Sequence, residues 1–162
     1  MPADMQGVVR LRGYREGDAA ATLEVFQRAV RHTAAQYYDA EQIAAWAPDV
    51  VDLGAWHARR ARVWTVVAEL QGRVIGFADL ADGGLLDMLF VHPDAGGRGV
   101  ARVLVEAVCG HARSRGIARL VTHASRAARP VFDHLGFVLD AENKLNLVRG
   151  VRVPNFDMHL DL

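Results

Sequence analysis

The sequence predicts a mixed α/β (α+β) fold in which a mixed sheet is flanked by helices. Two observations predict it. Apolar residues alternate singly in some segments and recur every three to four residues in others, and the two kinds of segment interleave along the chain. The 162 residues are half apolar and 23% charged, which suits one soluble globular domain with its own core.

Taken in order, "VVRLRG" alternates and predicts a first strand. From Asp18 onward, Leu23, Phe26, Val30 and Ala34 follow helical spacing, with Asp18 placed as the N-cap. "DAEQIAAWAP" predicts a second helix, capped by Asp39 and stopped by Pro48, and a short third helix covers residues 53–60. "VWTVVAEL" and "VIGFADL" are strands joined across "QGR", and "LLDMLFV" follows as the fourth strand, ending at His92-Pro93. Val100, Val103, Leu104, Ala107, Val108 and His111 then mark one face of a helix that ends at Gly116. "ARLVTHA" is the fifth strand, and "SRAARPVFDHLG" a short helix with Ser125 as cap and Gly136 as terminator. In the tail, Phe156, Met158, Leu160 and Leu162 alternate with Asn155, Asp157, His159 and Asp161. With "LNLV" before it and "RG" between, the tail predicts a closing hairpin.

Composition excludes several function classes. No apolar run reaches the ~18 residues needed to cross a bilayer, and the start "MPADMQGVVRLRG" lacks a signal-peptide core, so no membrane partner is expected. The single Cys109 allows no internal disulfide and falls on a buried helix face, which fits a cytoplasmic protein. Its spacing to the histidines matches no zinc pattern, so no metal is expected. The net charge of zero is unevenly spread: residues 96–130 hold seven arginines against one acid, Glu106. A basic stretch inside an otherwise acidic chain suggests a local anionic ligand, its alternative being arginines that are simply solvated. Nucleic acid is not expected, because no aromatic-basic stripe accompanies the arginines.

The stretch "VHPDAGGRGVARVLVEA" suggests where such an anion would bind. A helix opening at Gly99 leaves about four N–H groups without internal partners, and its dipole puts partial positive charge there. Phosphate is the usual ligand of such an end, and glycines remove the side chains that would hold it off. Arg98 and Arg102 add charge on the same turn. No Gly-Lys-Ser/Thr follows, which excludes a Walker A loop, and the glycine spacing is wrong for a dinucleotide fingerprint.

These residues, in this order of elements, resemble the GNAT acetyltransferase superfamily. Its signature Gln/Arg-x-x-Gly-x-Gly/Ala follows a strand ending apolar-x-Val-x-Pro. Leu89, Val91 and Pro93 match the strand end, and Gly99 and Ala101 match the last two signature positions, while Gly96 replaces the first. "SRAARPVFDHLGF" is similar to the family's Asn-x-x-Ala-x-x-Phe-Tyr-Glu-Lys-x-Gly-Phe helix, with Ser125 for Asn and Phe132 for Tyr. With "YYDAEQIAAWAP" and "VRGVRVPNF", the chain resembles small bacterial GNAT proteins over almost its whole length.

The resemblance implies a GNAT-like three-layer fold as a single domain over residues 1–162. Its central, mostly antiparallel sheet would carry splayed parallel fourth and fifth strands and helices on both faces. It implies acetyl-CoA as cofactor, with its diphosphate on Gly96, Gly97, Arg98, Gly99, Val100, Ala101 and Arg102. The pantetheine arm would lie along Leu89, Phe90 and Val91, with Ser125 and Phe132 also on the cofactor. The Leu89 amide would polarise the thioester carbonyl.

An alkylammonium of pKa near ~10 is rarely neutral at pH 7, so a base helps. Asp87, two residues before Leu89 on the same strand face, is one candidate, its alternative being a hydrogen-bonded structural carboxylate. His123 is the other candidate, its alternative being a core or cofactor-side histidine. Phe132 supplies no phenol to protonate the leaving sulfur, which predicts slower turnover rather than inactivity. Tyr38, Gln42, Trp46 and Phe77 are the expected substrate contacts. The expected reaction is acetyl transfer to a small-molecule amine. Protein acetylation is the same-class alternative, and an acyl-CoA-binding sensor the different-class one. Edges exposed by the closing hairpin are compatible with a homodimer.

Overall fold

The computed structural model describes residues 7–162. The described residues form ten strands: β1 (Arg10–Gly13), β2 (Trp64–Leu70), β3 (Arg73–Leu80), β4 (Leu85–Leu86), β5 (Leu89–Val91), β6 (Arg119–Ala124), β7 (Val138–Asn143), β8 (Leu147–Val148), β9 (Val151–Arg152) and β10 (Asn155–Asp161). Among the described residues five α-helices join them: α1 (Ala19–Arg28), α2 (Ala40–Trp46), α3 (Leu53–Arg62), α4 (Val100–Ser114) and α5 (Arg129–His134). One arm of the sheet runs β1-β2-β3-β5 and the other β4-β6-β10-β7. Among the described strands every pairing is antiparallel except β4 with β6.

Local chemistry explains most boundaries. Gln71 (φ 52°) and Gly72 (φ 77°) both lie in the left-handed region, which lets a two-residue turn follow the twist of β2 and β3. Asp39 accepts the Gln42 amide while the Gln42 side chain accepts the Asp39 amide, a capping box that starts α2. The Asp52 carboxylate accepts the Ala55 amide and starts α3. Helix α4 packs on β2, β3 and β5 from one side, burying Leu104, Val108 and Ala112. On the other side α1 and α3 bury Val25, Phe26 and Trp56 against Val67 and Phe77. These helices on both faces make the three layers. Cys109 is buried on α4.

Four expectations need correction. Asp18 does not cap α1 through its side chain; its carboxylate is held by the Arg12 guanidinium at 2.7 Å and by the Arg15 amide at 2.9 Å. A charged partner competes better for a carboxylate than a helix amide does. The first helix does not run unbroken to Ala34 but passes through a π turn over Ala29–Thr33. "LLDMLFV" is not one strand: it breaks at Asp87-Met88, so that β4 joins β6 while β5 joins β3. The tail is not the second arm of a hairpin with "LNLV". That segment forms β8 and turns back through Arg149 (φ 47°) and Gly150 (φ 77°) into β9, while β10 runs between β6 and β7. The outer edge of that arm is β7, whose residues are exposed through Glu142 and carry no burial pattern to betray a strand.

No helix of the described residues is long and apolar enough to cross a membrane.

Candidate active site

The break in the fourth strand opens a cleft between β5 and β6. In an antiparallel pair, alternate residues exchange ladder bonds and those between them turn their polar groups outward. His92 donates to the Ile75 carbonyl at 2.7 Å and Asp79 donates to the Met88 carbonyl at 3.0 Å, which sets the bonded positions. Leu89 and Val91 fall between them, and β5 is the outermost strand of its arm. Their N–H and C=O groups therefore face the cleft, ready to pair with an extended amide-bearing chain.

At one end of the cleft lies a cavity of about 410 Å³, lined by Val91, Gly97, Gly99, Ala101 and, from the π turn, His32 and Thr33. Gly97 (φ 76°) and Gly99 (φ 73°) adopt left-handed backbone, and no atom lies within 4 Å of where a Cβ would project. The loop thus presents bare main chain at the N-terminus of the fifteen-residue α4, a cradle for an anion. Gly96 also lines this cavity, whereas the exposed Arg98 and Arg102 lie outside its lining.

A second cavity, about 480 Å³, lies at the other end and meets the first at Trp46, Leu89, Phe90, Ser125 and Ala128. It contains Asp87 and His123 together. Asp87 is exposed at the break, so it stays in water and its place between apolar neighbours costs little. Because the break ends the strand alternation, Asp87 is not placed by the facing rule that relates it to Leu89 and Val91. His123 is exposed on β6, not in the core.

The His123 Nδ1 lies 2.6 Å from Asp157 Oδ1, and Asn143 Nδ2 donates to that same oxygen at 2.7 Å. Burial pulls the Asp157 carboxyl upward, but the hydrogen bonds from Asn143 and His123 outweigh it and hold the group below its ordinary value. An ionised carboxylate only accepts, so Nδ1 is the donor to Asp157, and the ring in its neutral form has its lone pair on Nε2.

The other expected residues are distributed as follows. Phe132 is buried and lines the second cavity, edge-on to Phe137 at 4.8 Å. Ser125 spends a lone pair on the Ala128 amide at 3.0 Å. Tyr38 lines the second cavity, but its hydroxyl donates to the Pro154 carbonyl at 2.6 Å and accepts the Arg126 amide at 2.9 Å. Those bonds anchor the α2 region to the tail. Gln42 lines neither cavity, because its amide is committed to the Asp39 cap and the Arg152 carbonyl. Phe77 is fully buried, packed on Trp56 and Phe90, with no surface for a ligand. Asp157, Asn143 and Asn155 were not anticipated. The alternation of the tail places Asp157 on the polar face, but only the register of β10 sets it opposite His123.

The family model described as acetyltransferase (GNAT) domain matches residues 34–160. The chain belongs to the GNAT acetyltransferase family. It is 32% identical over 150 residues to the uncharacterized N-acetyltransferase YafP of Escherichia coli (strain K12), covering 93% of this chain and 94% of that one. Among solved structures, a GCN5-related N-acetyltransferase from Rhodopseudomonas palustris superposes with a TM-score of 0.92. It is 35% identical, with 96% of this chain and 97% of that chain covered. YncA, a putative acetyltransferase from Salmonella typhimurium solved with its cofactor acetyl-CoA, superposes at 0.70. It is 27% identical over 96% of this chain and 94% of that chain. The split strand and glycine turn are therefore parts of a GNAT acetyltransferase.

Proposed function

We propose that this GNAT protein transfers acetyl from acetyl-CoA to the primary amine of a small, cationic molecule, by direct attack on the thioester. The observation that carries this is the meeting of the two cavities at Leu89, one ending in bare helix-terminal amides and the other holding Asp87, Asp157 and His123. YncA of Salmonella typhimurium, with its cofactor acetyl-CoA, supports the choice of donor.

Acetyl-CoA, once bound, supplies the activated acetyl group and a thiolate leaving group. The residues present fit it. Amides from Gly97 to Ala101 bind the diphosphate, with Arg98 and Arg102 as flanking charge, and the outward edge of Leu89 and Val91 pairs with the amide-bearing arm. Leu89 N–H is the donor aimed at the thioester carbonyl. His123 Nε2 takes the proton of the incoming amine, while Asp157 holds the ring in that tautomer and stabilises the charge it gains. Asp87 draws the ammonium into the cavity. Phe132 offers no phenol, so no acid at that position would protonate the departing sulfur, and a thiol pKa near ~8.5 would make one dispensable.

The acceptor cavity is rich in polar side chains. Asp87, Asp157, Asn143, Asn146 and Asn155 line it together with Trp46, and among the described residues no Lys or Arg does. Such a surface favours an amine carrying further cationic or hydrogen-bonding groups, and disfavours one carrying a carboxylate. A thiol-release assay should therefore rank a diamine above a monoamine of equal length, and both above an α-amino acid. Peptide amines outrunning all three would move the reading to protein acetylation. Tight acetyl-CoA binding with no amine-driven release would make the protein a sensor.

Gly99→Glu is expected to weaken CoA binding about 30-fold or more. It forces a side chain into left-handed backbone and sets a negative charge beside the diphosphate. Calorimetry with CoA reads this directly, and an unchanged Kd would remove the diphosphate from the α4 terminus.

A further inference from the structure

Beneath the strand break lies a buried ion pair that the transfer chemistry leaves unused. Asp79 on β3 is 1% exposed and Arg60 on α3 is 3% exposed. Arg60 Nε sits 3.6 Å from Asp79 Oδ2, and neither atom has a hydrogen-bond partner among the described residues. Such a pair is poor stabilisation: apolar residues of similar volume serve a core as well or better. Its partners indicate another use.

At the end of the β3–β5 ladder, the Asp79 amide donates to the Met88 carbonyl as an ordinary rung at 3.0 Å. The return bond differs, because the Met88 amide donates to the Asp79 carboxylate, Oδ1 at 2.9 Å. This is the residue pair at which the chain leaves one arm of the sheet for the other. Arg60 grips the same point, with Nη1 2.6 Å from the Met88 sulfur and its guanidinium 4.6 Å above the Trp56 ring. One residue further on, the Leu89 amide faces the cleft.

We infer that the Asp79–Arg60 pair is a positioning device: it clamps Met88 so that the next amide, that of Leu89, is aimed at the thioester carbonyl. This rests on the reading of Leu89 as the carbonyl donor. The clamp acts through two atoms of Asp79, one oxygen holding the Met88 amide and the other facing Arg60. Asn at this position offers only one acceptor and turns an NH₂ toward either the amide or the guanidinium, both donors. Burial pushes the Asp79 carboxyl up to about 6, against the pull of Arg60 and the Met88 amide, so the clamp is made at an energetic cost that packing alone would not require.

The test compares acetyl-CoA with S-ethyl-CoA, a thioether of nearly equal size that lacks the carbonyl, by calorimetry and by the amide spectrum of ¹⁵N-labelled protein. Wild type is expected to bind acetyl-CoA about 5-fold tighter, as one hydrogen bond allows, with the Leu89 amide shifting only on that ligand. Asp79→Asn is expected to abolish the preference and the Leu89 shift while CoA itself binds within 2-fold of wild type. If that variant fails to fold, the apolar pair Arg60→Met with Asp79→Leu removes the unpaired charge, and the same loss is expected. A preference and shift that survive in a folded variant overturn the inference. So does equal loss of CoA affinity, which would mark a general structural role. A wild type that binds both ligands equally removes Leu89 as donor, and a wild type that binds neither removes the cofactor itself.

Discussion

Gly84→Val should leave little folded protein. Gly84, the turn residue just before β4, has φ at +96°, and a Cβ there would overlap the Arg119 carbonyl and lie 3.0 Å from Ile117 Cγ2. The Gly84 carbonyl also accepts the Val121 amide at 2.9 Å, so moving the chain aside breaks the entry to the β4–β6 pairing. Overlap with main chain cannot be relieved by a rotamer change. Backbone strain and overpacking together cost about 3–5 kcal/mol, a large part of a typical domain's stability. Gly83→Ala is the control. Its φ is +84°, but nothing lies within 4 Å of the new Cβ, so only strain of about 1 kcal/mol applies, a few degrees in Tm. A thermal melt of both variants separates the contributions, and a Gly84→Val melt matching that of Gly83→Ala would show that the close approach is not what matters.

His123→Ala should lower kcat about 10²- to 10⁴-fold with acetyl-CoA affinity intact, the range expected when a general base is lost. The size follows from the proton inventory. A substrate ammonium must lose a proton before it attacks, and His123 Nε2 is the lone pair that the Asp157 bond leaves available on the ring. The deficit should narrow as pH rises toward ~10, because the amine then arrives neutral without help. Asp157→Asn should fall between wild type and His123→Ala, since the amide can still orient the ring but no longer stabilises its charge. A pH–rate profile of both variants, run with the best amine of the panel, decides the matter. A deficit independent of pH would return His123 to a purely binding role and leave Asp87 as the base.

Much of the architecture was readable because its causes are local. The Asp39 cap, the Gln71-Gly72 turn and the glycines ahead of α4 each depend on the conformational or hydrogen-bonding preferences of residues close in sequence. The fold class followed because periodicities of two and of 3.6 interleave, and the glycine turn stood out because bare amides at a helix start have few uses other than the anion site proposed there. The misses were of another kind. The strand β7 escaped because its residues are exposed almost throughout and it lies at the edge, so it carries no alternation to read. Phe77 looked like a cleft residue until β3 proved to be buried from both sides.

What the sequence determined alone was therefore most of the element types, the family signature and the glycine turn for which an anion is proposed, all written in neighbouring residues. Tertiary structure alone decided that "LLDMLFV" divides between two arms, that Asp157 stands opposite His123, and that Asp79 meets Met88. An apolar run satisfies several strand neighbours equally well, and a carboxylate at a given position accepts from whichever donor the register delivers. That choice is made only when distant segments pack and each buried polar group must find a partner.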